Sequence, residues 1–182
     1  MSINEFEILI HQVSHVLEQL GIKHGIVGSV ASSRYGENRA TNDIDIVIML
    51  QRNQIKDLVE AMQKDFYIDQ EMIGEALDRN SSFNTVHLDT GIKIDFFTQK
   101  PREYDRVALQ RRITKIPAFM QVEDVLLGKL EWYKATDCTS EKQWRDILGL
   151  LRFNPDIDLE YSKHWAAQIE VLDLLEQALG AT

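Results

Sequence analysis

Residues 43–50, DIDIVIML, place isoleucine at every second position, and β-branched residues in that alternation favour a strand with one buried face. Successive side chains on a strand point to opposite sides, so Ile44, Ile46 and Ile48 share the buried face while Asp43 and Asp45 share the other. Two carboxylates side by side on a rigid strand repel each other and cost stability unless a cation or a basic group offsets them. A second run, GIKIDFF at 91–97, repeats the design, with Ile92, Ile94 and Phe96 on the buried face and Lys93 and Asp95 on the other. If the two strands are neighbours, three carboxylates converge on one side of a sheet.

The remaining pattern changes character near Pro117. Before it, helical and strand signals alternate. Phe6, Ile10, Val13, Leu17 and Leu20 recur at helical spacing, so 3–20 reads as an amphipathic helix. HGIVGS at 24–29 reads as a strand entering a Gly-Ser turn, 54–65 as a helix, FYID as a short strand, and 83–89 with 91–97 as a hairpin. After Pro117 strand signals vanish, and 121–134, 140–152, 158–167 and 168–179 read as helices, the second opened by Ser140 with Gln143 three residues on. The expected architecture is an α/β (α+β) body over 1–117 and a helical annex over 118–182 that packs on it.

Composition narrows the setting. A chain of 182 residues can bury a real core, and Cys138, its single cysteine, excludes a disulfide scaffold and fits a reducing cytosol. No basic start with an apolar core marks a signal peptide, and no apolar run reaches membrane-spanning length, so a cytoplasmic protein away from membranes is expected. The net charge of −9 argues against an extensive duplex nucleic-acid surface. That charge is uneven: 1–99 is net −7, 116–182 is net −6, and the island KPREYDRVALQRRITK at 100–115 is net +4, which makes the island the place to seek an anionic ligand.

The acids suit Mg²⁺ or Mn²⁺. Mg²⁺ takes oxygen ligands and prefers one or two carboxylates completed by water and substrate phosphate. An acid at a strand end can equally face solvent alone, which is the simpler fate for Asp95; a DxD inside an apolar strand has no such easy explanation. Gly28-Ser29 precedes the helical stretch VASSRY. Glycine allows close backbone approach to a phosphate, a serine hydroxyl can donate to it, and helix-start N–H groups favour anions.

The run GSVASSRYGENRATNDIDIVI, followed by KIDFF, resembles the nucleotidyltransferase superfamily related to DNA polymerase beta. The resemblance implies a mixed sheet flanked by helices and transfer of a nucleoside monophosphate from a nucleoside triphosphate to an acceptor hydroxyl on a protein, an RNA 3′ end or a small molecule. It assigns Gly28 and Ser29 to the triphosphate cradle, and Asp43, Asp45 and Asp95 to the catalytic, metal-binding acids. Over its whole length, including EDVLLGKLEWYKATDCTSEKQWRDILGLL, the chain is similar to the small bacterial branch of abortive-infection nucleotidyltransferases. That likeness implies that Lys129, Arg145 and Asp146 join the site.

A helical wheel places Lys129 with the apolar face of its helix, where its stem can lie on that face with the amine in water or its amine can reach a phosphate in the body. Asp146 falls nearly opposite the stripe Trp144, Ile147, Leu148 and Leu151, which predicts a solvated side chain. Arg34 and Arg39 stand between the Gly-Ser turn and DxD, and Arg39 is the better candidate for contacting nucleotide. Most of Arg102, Arg106, Arg111, Arg112 and Lys115 are expected on a solvated helix face. Trp132, Trp144 and Trp165 read as annex core rather than a base-stacking platform. His11 and His15 lack the HExxH context of a metalloprotease, Cys138 lacks a nearby histidine, and neither GxxxxGK[ST] nor GxGxxG occurs. Two other readings compete with transfer: a catalytically silent nucleotide-binding or antitoxin-like interaction module, and a structural helical partner.

Overall fold

The structure, a computed structural model, describes residues 3–38 and 40–182. Elements alternate through the first part as α1 (Ile3–Gln19), β1 (Lys23–Ile26), α2 (Gly28–Tyr35), β2 (Asp43–Met49), α3 (Ile55–Met62), β3 (Phe66–Tyr67), α4 (Gln70–Asp78), β4 (Ser82–His87), β5 (Lys93–Thr98) and α5 (Glu103–Arg111). Four helices follow: α6 (Val122–Ala135), α7 (Glu141–Phe153), α8 (Leu159–Gln168) and α9 (Leu172–Gly180). The strands form one mixed sheet in the order β1-β2-β5-β4-β3. β2 and β5 run parallel at its centre, and the other pairs of these five strands are antiparallel. The fold is the α/β class that the alternating pattern predicts.

Period-2 patterning holds in both central strands. Ile44, Ile46, Ile48, Ile94 and Phe96 are fully buried. The layer of α1, α3 and α4, whose members pack on one another and on β1 and β4, covers this apolar face. The hairpin β4–β5 forms as expected, with Gly91 in the left-handed region at its turn (φ +70°). α4 is an element without a counterpart in the sequence reading; its start is fixed by Asp69, whose carboxylate accepts from the Met72 N–H at 2.8 Å.

The opposite face of the sheet carries the acids. There α2 lies on β2 and against α6, and α7, α8 and α9 pack behind α6. One hydrophobic cluster runs without a break from Leu9 and Val13 of α1 through the sheet to Leu126, Leu150 and Leu175 in the C-terminal helices.

Strand-like pairing does continue past Pro117, contrary to the sequence reading. Ile26 donates its N–H to Ala118 O (2.8 Å) and accepts from Met120 N–H (3.1 Å), so Phe119 forms a parallel bridge to the outer edge of β1. Met120 then lies over Gly25, where a Cβ would stand 2.4 Å from the methionine sulfur. Beneath this segment, fully buried His24 is held by Ile22 O (3.0 Å from Nδ1) and Ser14 Oγ (2.7 Å from Nε2). A carbonyl only accepts, so Nδ1 carries the proton and the Ser14 hydroxyl donates to Nε2.

Candidate active site

β2 and β5 pair with Asp45 directly across from Asp95 and Asp43 across from Lys93. All four side chains project from the face opposite the isoleucines, so Asp43, Asp45 and Asp95 meet on one side of the sheet as their alternation predicts. On the other flank of β2 stands the Gly28–Ser29 turn. Gly28 takes the left-handed conformation (φ +62°) and opens α2 directly against Asp45: a Cβ built on it would lie 1.9 Å from Asp45 Oδ2. Val27 N–H donates to Asp45 O at 2.9 Å, and the Ser29 backbone N–H hydrogen-bonds the Asp45 carboxylate. The turn and Asp45 therefore form one unit.

The electrostatics follow from crowding. Burial raises the Asp45 pKa to about 6, and the neighbouring Asp43 and Asp95 charges add to the rise. Lys129 and the Ser29 N–H pull it in the opposite direction without cancelling it. Each outer acid has a local partner. Asp43 Oδ1 accepts from Thr41 Oγ1 at 2.7 Å, and Asp95 Oδ2 lies 2.6 Å from Lys93 Nζ. With the carboxyls turned this way, no group of three or more His, Cys, Asp or Glu side chains among the described residues is arranged to hold a metal ion as it stands. The donors are nevertheless three hard oxygen ligands, adjacent in register and mutually repelling, which is the chemistry a divalent cation offsets.

α6 sends Lys129 into the body. The lysine is buried (4% exposed) and its Nζ donates to Asp146 Oδ2 at 2.7 Å. The amine is thus buried against Asp146 of α7 rather than held in water. Asp146 is a correction: it is buried, not solvated. The wheel misplaced it because α7 has two covered sides, with α6 and α2 packed on it as well as α9. Arg145 is exposed, and Arg39 lies outside the described residues.

The basic island is also corrected. Arg102 is clasped by Asp105 and by Glu131 of α6 (Nη1 to Oε1 2.7 Å), and these hydrogen bonds raise its pKa. Arg111 reaches Glu123 (3.2 Å) and Asp124 (3.3 Å), and its guanidinium stacks 3.6 Å from the Tyr161 ring centroid. These cations fasten α5 to α6 and α8 rather than offer a free anion surface. Arg34 stacks on Phe119 with its guanidinium 4.6 Å from the ring centroid, at the seam of α2 and the 116–121 segment. Trp132 is 53% exposed and is not core, whereas Trp144 and Trp165 are partly buried against Tyr133 and Tyr104.

Comparison with solved structures gives this arrangement a context. An antigenic nucleotidyltransferase-like protein from Paracoccidioides brasiliensis superposes with a TM-score of 0.56, covering 100% of this chain and 95% of its own, at 19% identity. The fold is nucleotidyltransferase-like. The antibiotic-resistance factor ANT(2'')-Ia shares the nucleotidyltransferase-like fold at a TM-score of 0.54 and 12% identity, over 98% of this chain and 99% of its own. No family model and no curated protein matches the sequence. Among the described residues no helix is long and apolar enough to cross a membrane.

Proposed function

We propose that this chain is a cytoplasmic nucleotidyltransferase that moves a nucleoside monophosphate from a nucleoside triphosphate to an acceptor hydroxyl. The observation that carries the proposal is the register of Asp45 opposite Asp95 with the Gly28–Ser29 turn seated on Asp45. A structural helical partner would have no use for three half-buried acids that repel one another on the working face of the sheet. The Lys129–Asp146 pair supports kinship with the abortive-infection branch and its toxin–antitoxin setting.

Gly28 and Ser29 bind the β- and γ-phosphates: the glycine lets the turn seat directly against Asp45, and the Ser29 hydroxyl and N–H groups opening α2 donate to the anion. Asp43, Asp45 and Asp95 would hold Mg²⁺ or Mn²⁺ once Asp43 turns from Thr41 and Asp95 from Lys93. When bound, the cation supplies charge neutralisation and Lewis-acid polarisation at the phosphates. Asp95 accepts the proton of the attacking hydroxyl, whose oxygen bonds to the α-phosphorus as the bond to the leaving pyrophosphate breaks. Lys129 balances phosphate charge from the annex side, and Arg39, which the sequence places between the Gly-Ser turn and DxD, is assigned to the same charge. Positioning and charge compensation account for most of the rate expected of such a site.

Incubation of the chain with Mg²⁺ and each labelled nucleoside triphosphate, in extracts supplying acceptors, is the direct test. Transfer of label and release of pyrophosphate that vanish in Asp45→Asn support the assignment. Triphosphate binding that is indifferent to Asp45 sinks it. Asp45-dependent binding with no transfer to protein, RNA or small molecules favours the silent module.

A further inference from the structure

The face that carries the acids is unevenly covered. Over β1 and β2 it lies under Met120 and α2, whereas on β4 the residues paired with Phe97 and Asp95, Ser82 and Asn84, are exposed. Phe97 follows Asp95 by two residues and so shares its face, about 7 Å further along β5. Trp132 stands over this phenylalanine, its ring edge-on at 79° with centroids 6.2 Å apart. Trp132 lies three residues beyond Lys129 on α6, hence on the same side of that helix. Trp132 is 53% exposed and Phe97 half-buried beneath it, so the pair presents aromatic surface to solvent beside Asp95.

Its position relative to the acids says what it serves. Resting on the transfer reading above, the leaving pyrophosphate departs toward Gly28–Ser29, on the β1 side of β2. In-line displacement puts the attacking oxygen on the opposite side of the α-phosphorus, which is the β5 side. On that side stand Asp95 and, about 7 Å along the same strand, the Phe97–Trp132 pair. We propose that Trp132 and Phe97 form the acceptor subsite, a shelf on which a nucleobase of the acceptor stacks while its ribose hydroxyl faces Asp95. An indole face offers the broadest stacking surface among side chains, and stacking tolerates any base. Lys93, paired with Asp95, and Lys100, paired with Glu131, stand half-exposed near the two ends of β5. The base can belong to a free nucleoside or to the 3′ end of a single strand.

Calorimetric titration of the full chain with adenosine and with the trinucleotide ApApA, each bearing a free 3′ hydroxyl, tests the shelf. Trp132→Ala is expected to weaken both by roughly 5- to 100-fold, Trp132→Phe to recover most of the loss, and Asp45→Asn to leave adenosine binding intact. The same titrations repeated at saturating Mg²⁺ and triphosphate should give unchanged adenosine affinity, because donor and acceptor occupy different places. Preference for ApApA by tenfold or more marks a strand end as the source, and equal affinity marks a free nucleoside. Binding unaffected by Trp132→Ala, or absent from the wild type, overturns the shelf. Displacement of adenosine by triphosphate overturns its acceptor role, since the shelf then holds the donor base. Failure of Asp45-dependent pyrophosphate release alongside intact Trp132-dependent adenosine binding rejects transfer while keeping the stacking site, so the two ideas fail separately.

Discussion

Gly28 and Asp45 are in such close approach that a single methyl group on the glycine would stand 1.9 Å from Oδ2 of the acid. Two demands meet at this residue: a left-handed φ of +62° that opens α2, and the absence of a side chain where the Asp45 carboxylate lies. Any side chain here must push Asp45 off its position or reverse the turn that presents Ser29.

Gly28→Ala is therefore expected to destabilise the fold by at least about 2 kcal/mol, combining left-handed strain with the overlap. It should also abolish triphosphate binding. Denaturant unfolding and nucleotide titration check the two effects. A variant as stable as wild type would mean that the turn relaxes freely and does not define the Asp45 position.

Asp45→Asn should trade activity for stability. The folded pKa of Asp45, about 6, lies above its ordinary value of 3.8, so the folded state holds a proton more firmly than the unfolded one. Stability then falls as pH rises through roughly 4 to 6, and at pH 7 the ionised carboxylate is a cost. Because Asp45 is only partly buried, the asparagine variant is expected to gain about 1–2 kcal/mol at pH 7 without divalent ions, less than the full shift implies. The gain should vanish near pH 4. Added Mg²⁺ should raise the melting temperature of wild type and leave the variant unmoved; thermal melts at the two pH values, with and without Mg²⁺, decide this.

What could be read from the chain beforehand divides along a physical line. Asp43, Asp45 and Asp95 were legible because strand period alone decides which side they take, and the mixed sheet then supplied the register. Asp146 was illegible because a wheel finds one buried stripe, and α7 is covered on more than one side. Trp132 failed in the opposite sense: its wheel angle is apolar, yet its end of α6 leaves it 53% exposed. The basic island misled because Arg102 and Arg111 find Glu131, Glu123 and Asp124 only after α6 packs beside α5. α4 announces itself through one capping aspartate, Asp69, and little else.

Lys129→Met should be costly on two counts. It strips a buried partner from Asp146, a loss expected to take about 2–4 kcal/mol of stability, and it removes a positive charge that lowers the Asp45 pKa. The double variant Lys129→Met/Asp146→Leu should regain most of the stability and still bind triphosphate weakly. Recovery of binding along with stability would assign the lysine to the fold alone. Urea unfolding with parallel titration separates the two contributions.

Tyr161→Phe isolates a pH-dependent fastening of α8 to α6. Asp124 is buried, and its pKa rises to about 6 chiefly because burial penalises the charge, while the Tyr161 hydroxyl (2.7 Å) and Arg111 oppose the rise. Burial and the nearby Asp124 charge push the tyrosine pKa up, so the hydroxyl keeps its proton and donates throughout the neutral range. Since the folded pKa exceeds the unfolded one, ionised Asp124 reduces stability as pH climbs from about 4 to 6, and the tyrosine hydrogen bond limits that reduction. Phenylalanine keeps the ring beneath Arg111 and deletes the donor to the carboxylate. The expected loss is about 1–2 kcal/mol at pH 7.5, shrinking to less than half of that at pH 4.5, where Asp124 is protonated and needs the donor less. Equal losses at both pH values would show that the hydroxyl acts on the neutral acid and that Asp124 does not titrate in this range.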